Sequence, residues 1–128
     1  MKSLPLILAL ALSTTAQAGV DIQRWTTGNG TEVLLVEQHD NPIVDMQVNF
    51  KGAGSVFNPE GKSEVAEFTA ALLTDGTEKL DEEAFNAAAD DIAAKIGSSS
   101  GQESSAAVLR SLSRPETLKQ AAGLLNQS

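Results

Sequence analysis

Hydrophobic and polar positions alternate most cleanly over Val44 to Lys51, where Val44, Met46, Val48 and Phe50 interleave with Asp45, Gln47, Asn49 and Lys51. A period of two sends successive side chains to opposite faces, so this stretch predicts a strand with one core face and one wet face. Upstream, Ile22 to Trp25 and Glu32 to Glu37 predict two strands joined at Gly28-Asn29-Gly30, because Asn-Gly accepts the positive φ of a hairpin turn. Val33 to Val36 is apolar on both faces and predicts a central strand. His39-Asp40-Asn41-Pro42 reads as a polar loop, and Gly52-Ala53-Gly54-Ser55 lets the chain bend before a Pro59-Glu60-Gly61 turn.

The period then lengthens. Ser63 is positioned as an N-cap, Glu64 sits beside the positive end of the helix dipole, and Asp75-Gly76 supplies a stop. Between them Val65, Phe68, Thr69, Leu72 and Leu73 recur at spacings of three and four, which predicts a helix with that stripe buried. Ala66, Ala70 and Ala71 add small surfaces that let a neighbour approach closely. A second helix is announced by Asp81 as N-cap, Glu82 and Glu83 in the first turn, and a Leu80 to Phe85 staple. Its expected stripe is Phe85, Ala88, Ala89, Ile92 and Ile96, with Gly97 as its end.

Ser98 to Gly101 is a Ser/Gly-rich stretch, and it lacks the Lys-Ser/Thr that a phosphate loop requires. Ala106 to Leu112 predicts a strand with Val108 and Leu109 as its core. Ser113-Arg114-Pro115-Glu116 is a capping box with Pro in the first turn, and Leu118, Ala121, Ala122 and Leu125 give the stripe of a third helix. Three to five strands with three helices define an α+β fold, an antiparallel sheet with helices packed on one face. An exposed sheet edge and unpaired apolar helix faces are its expected liabilities.

The window Asn58 to Thr77 resembles the inverted-zincin (M16, insulinase/pitrilysin-like) peptidases. In that family a Gly-Lys-x-Gly-Leu-Ala segment leads into His-x-x-Glu-His and closes with Gly-Thr. The frame is present here as Gly61-Lys62, Val65-Ala66 and Gly76-Thr77. The family's zinc chemistry needs two imidazoles four apart on one helix face and a carboxylate to take a proton from the bound water. Those positions are Glu67, Ala70 and Ala71 in this chain, and two methyl groups bind no zinc and move no proton. The resemblance runs from Ile22 to Leu125 and implies the leading part of one family domain, residues 19–128, incomplete on its C-terminal side. The third zinc ligand of active members, a Glu in a later helix, would fall beyond Ser128. The strand edge that carries Asn-Ala in catalytic members carries Ser and Gly here, which weakens any reading of peptide binding.

Residues 1–18 are expected to be a secretory signal peptide, with Met1-Lys2 as a positive start, an apolar run over Leu4 to Leu12, and Ala16-Gln17-Ala18 before Gly19 as the cleavage site. That run is too short for a membrane span and no later stretch is long enough. With the resemblance, this predicts a periplasmic or secreted product. The chain has no Cys, so neither disulfides nor thiolate metal sites are available to it. Its formal net charge of −8 argues against nucleic acid or anionic lipid as a partner. His39 is the one imidazole, and without a second it makes no metal site. The acidic group Asp81, Glu82 and Glu83 is explained by the preference of helix N-termini for carboxylates.

No catalytic, cofactor-binding or metal-binding residue is therefore expected. The resemblance implies a non-catalytic structural or interaction subunit whose partner is an active zinc peptidase of the same family. The alternative is a truncated fragment of a longer subunit with no independent function. An active zinc metallopeptidase is disfavoured, because Glu67 alone cannot replace the lost ligands.

Overall fold

The structure is a computed structural model that describes residues 19–128, so the expected leader lies outside the described residues. Two compact units divide after His39. In the first, β1 (Ile22–Thr26) and β2 (Glu32–Val36) form an antiparallel hairpin with Ile22 opposite Val36 and Thr26 opposite Glu32. The Thr27 carbonyl accepts from the Gly30 N–H at 2.9 Å, and Gly30 takes φ +89°, as the Asn-Gly reading required. The reading of β2 as a central strand is corrected. Among the described residues it pairs with β1 alone, and Leu34, Leu35 and Val36 are all exposed.

The second unit holds a three-stranded antiparallel sheet in the order β3-β5-β4, from β3 (Ile43–Lys51), β4 (Lys95–Ser100) and β5 (Ser104–Leu112). Directly opposed residues share a face, so Met46, Leu109 and Ile96 lie together on one side, as do Val48, Ala107 and Ser98. Three helices follow: α1 (Val65–Leu72), α2 (Glu82–Asp91) and α3 (Pro115–Leu125). They cover that side over β4 and β5, where Ala94, Leu109 and Ala121 are buried and Ile92, Ile96 and Leu125 pack against them. The fold is α+β, as expected.

Four features differ from the sequence reading. The second helix stops at Ile92, and not at Gly97, because Ala93 enters the left-handed region at φ +52°. The Ala93 and Ala94 N–H groups then donate back to the Asp90 and Ala89 carbonyls, each at 2.9 Å, which is a Schellman closure built on Ala in place of Gly. Ile96 consequently belongs to β4. Ser98 to Ser100, in the Ser/Gly-rich stretch to which the sequence assigned no element, is strand, since β5 supplies a ladder for a sequence with little strand propensity of its own. The Ser113 side chain does not cap α3; its N–H instead donates to the Pro42 carbonyl at 2.9 Å. Val108, expected in the core, is exposed, because it points to the side of the sheet without helices, while Leu109 beside it is buried.

Candidate functional site

Asn58, Pro59, Glu60 and Gly61 deliver the chain into α1. The Lys62 N–H donates to the Pro59 carbonyl at 3.0 Å across a turn whose third residue, Gly61, has φ +74°. Ser63 was expected to cap the helix. The N-cap position belongs to Glu64, and neither side chain makes a capping bond. Asn58 does that work from outside the helix, because its Oδ1 accepts from the Ala66 N–H at 3.0 Å and its Nδ2 donates to the Ser63 carbonyl at 2.5 Å. Sequence reading quoted Asn58 as part of the lead-in and missed this role. The available signal was an Asn ahead of a Pro-x-Gly turn.

The frame residues Gly76-Thr77 are also structural. Gly76 has φ +131°, and a Cβ there would meet the Leu80 carbonyl oxygen at 2.6 Å. The Thr77 hydroxyl accepts from the Lys79 and Leu80 N–H groups at 3.1 and 3.0 Å and so fixes the turn that leads to Asp81. Asp81 caps α2 as expected, its Oδ1 accepting from the Ala84 N–H at 2.9 Å.

The burial of α1 departs from the expected stripe, of which only Leu73 is partly covered. Ala70 is buried at 4% exposure and its carbonyl accepts from the Ser98 hydroxyl of β4. Ala66 and Leu73 are half-buried, while Val65 and Thr69 are exposed and Phe68 and Leu72 are each 63% exposed. Small side chains let the helix lie close to the sheet, and Phe68 and Leu72 point away from it.

Of the three motif positions, Glu67 and Ala71 are exposed on α1, and Ala70 lies in the contact between helix and sheet. The zinc that the resemblance implies does not fit these residues. They offer one carboxylate, no imidazole, and a buried methyl group where the proton acceptor would stand. His39 sits after β2 in the first unit. Among the described residues no group of three or more His, Cys, Asp or Glu side chains is placed to hold a metal ion.

Cavities lie on both faces of the sheet. One of about 400 Å³ is lined by Phe50, Phe57, Val65, Ala66, Thr69 and Leu73 among others, and is largely apolar. Another, of about 450 Å³, opens on the side of the sheet away from the helices beside Asp45, Gln47, Lys95 and Arg110. There Arg110 donates to Asp45 through Nε at 2.6 Å and Nη2 at 2.9 Å. These hydrogen bonds hold the Asp45 carboxyl below the usual carboxylate range and raise Arg110. A depressed carboxyl stabilises the fold above its unfolded pKa, and that contribution disappears as pH falls through the folded value. Both side chains are exposed to solvent, so the pair is a minor term.

No family model and no curated protein sequence matches the chain. A solved structure does: the crystal structure of a peptidase M16 inactive domain from Pseudomonas fluorescens is similar over 84% of this chain, with 29% identity and a TM-score of 0.79. The chain spans 26% of the length of that protein. The chain thus has an M16-like fold, matching a fragment of such a domain, as the Gly61-Lys62 and Gly76-Thr77 frame implied. Among the described residues no helix is long and apolar enough to cross a membrane.

Proposed function

We propose that this chain is a non-catalytic M16-like protein that serves as a structural or interaction subunit beside an active zinc peptidase of the same family. Ala at positions 70 and 71, the first of them sealed against β4, is the observation that carries this reading. The similarity to a domain described as inactive supports it. The outward row Val65, Phe68 and Leu72 supplies apolar surface of the kind that subunits bury against one another. The leader expected over residues 1–18 supports a periplasmic or secreted location for the complex.

The test is purification of the tagged full chain from its native host. The expected result is co-purification with a larger zinc-containing peptidase whose cleavage stops on chelation, and loss of that partner in the Phe68→Glu variant with the helical signal unchanged. A pure, well-folded chain recovered without any such protein contradicts the reading. The same uncovered apolar rows favour a second one, a fragment of a longer M16-like subunit. That reading requires the missing strands and helices to be encoded in the DNA downstream of the Ser128 codon.

A further inference from the structure

Asn29-Gly30, in the turn between β1 and β2, is the one Asn-Gly pair in the chain. An Asn side chain loses its amide when the next backbone nitrogen attacks Cγ, and Gly, with no Cβ, is the least hindered residue to supply that nitrogen. The other asparagines lack such a neighbour. Asn41 and Asn58 precede Pro, which has no N–H to deprotonate, and Asn49, Asn86 and Asn126 precede Phe, Ala and Gln. The turn engages both reacting groups of the pair. The Gly30 N–H donates to the Thr27 carbonyl at 2.9 Å, and Asn29 Oδ1 accepts from the Thr27 hydroxyl and from the Thr31 N–H at 3.4 Å. The Thr27 N–H donates to the Thr31 carbonyl at 2.9 Å, and the Thr31 N–H also reaches the Thr27 hydroxyl at 3.1 Å. All of these partners lie within residues 27–31, so the turn closes on its own atoms.

We propose that Asn29 is a site of spontaneous deamidation that the folded hairpin holds shut, so that loss of ammonia there records opening of the turn. In the open turn the Gly30 N–H gives its proton to hydroxide, and the freed nitrogen attacks Cγ of Asn29. The N–Cγ bond forms, the Cγ–Nδ2 bond breaks, and Nδ2 takes a proton from water and leaves as ammonia. Water then opens the cyclic imide. Addition at Cγ gives Asp with the main chain intact, whereas addition at the residue 29 carbonyl carbon gives isoaspartate, whose main chain runs through Cγ and is longer by a methylene. The two products have opposite consequences. A carboxylate offers the Thr27 hydroxyl and the Thr31 N–H the same acceptor, so the Asp product keeps the turn. The longer main chain of the isoaspartate product breaks the closure between Thr27 and Thr31 that sets the β1–β2 register. This site is independent of the subunit reading above.

The test incubates the full chain at mildly alkaline pH, folded and in denaturing urea, and follows residue 29 by peptide mass spectrometry with isoaspartate separated from Asp. Deamidation of the folded chain is expected to be at least about tenfold slower than in urea, because it waits for local opening. Thr27→Val removes the hydroxyl that bonds Asn29 and Thr31, and is expected to speed the folded reaction roughly twofold to tenfold while leaving the rate in urea unchanged. Asn29→Asp is expected to retain slow hydrogen exchange at the Gly30 amide. Equal rates in the folded and urea-unfolded chain, loss of ammonia at another Asn ahead of residue 29, or a Thr27→Val chain whose folded rate is unchanged overturns the proposal.

Discussion

Replacing Gly54 with Ala is expected to destabilise the unit from Asp40 to Ser128 by about 3 kcal/mol, read as a lower midpoint in urea unfolding. Gly54 is buried at the start of a short 3-10 turn, Ser55–Phe57, and its φ of −96° would suit any residue. The obstacle is space. A Cβ at this position would fall inside the Gln102 carbonyl and stand 2.5 Å from the Glu103 nitrogen, both of them backbone that cannot swing aside. The same segment is tied to the β4–β5 turn by Gly52 N–H to the Glu103 carbonyl at 2.9 Å, Ser55 N–H to Gly101 at 2.9 Å and Val56 N–H to Gln102 at 3.0 Å. Relieving the clash means opening those bonds, and the lost amount is a large share of the ~5–15 kcal/mol that holds a typical domain together. A Gly54→Ala chain with an unchanged midpoint would mean that residues 52–57 do not rest on this turn. Gly52→Ala is a poor control, because Gly52 itself has φ +80°.

Phe85→Ala is expected to cost about 3–5 kcal/mol, the range for emptying a buried aromatic site. Phe85 is 1% exposed and sits one turn into α2, whose other buried residue is Ala89. The chain's other phenylalanines, Phe50, Phe57 and Phe68, are all exposed. Phe68→Ala should therefore change the stability of the chain by no more than about 0.5 kcal/mol. Thermal unfolding of the two variants side by side separates them. Equal losses would show that α1 buries its large side chains after all.

That contrast marks what periodicity along the chain reveals and what it leaves open. The 3.6-residue spacing of Val65, Phe68 and Leu72 locates a helix, and the same logic holds for Phe85 and Ala89 in α2 and for Leu118, Ala121 and Leu125 in α3. Which face of α1 is covered depends on a neighbour. Ser98 of β4 reaches the Ala70 carbonyl only if the side chains between helix and sheet are small, so Ala66 and Ala70 went inward. β4 itself was illegible for a related reason. Its strand state comes from the ladder with β5, and Gly97-Ser98-Ser99-Ser100 has no local signal to announce it. The caps show the same split. Asp81 caps α2 from within three residues of its partner and was legible, whereas Asn58 caps α1 from eight residues upstream and was not. For the candidate site, the frame Gly61-Lys62 and Gly76-Thr77 gave the fold relationship. Geometry added that these residues build the turns at either end of α1, and that position 70 is enclosed.

With Glu67, Ala70 and Ala71 at the positions that the M16 resemblance aligns with the zinc motif, this chain is expected to have no measurable appetite for zinc. The direct measurement is metal analysis of the purified full chain, with zinc titration followed by calorimetry and a peptide-cleavage assay before and after chelation. Sub-stoichiometric zinc, no saturable heat and no chelator-sensitive cleavage are predicted. One tightly held zinc per chain, released together with peptide-cleaving activity, would contradict it.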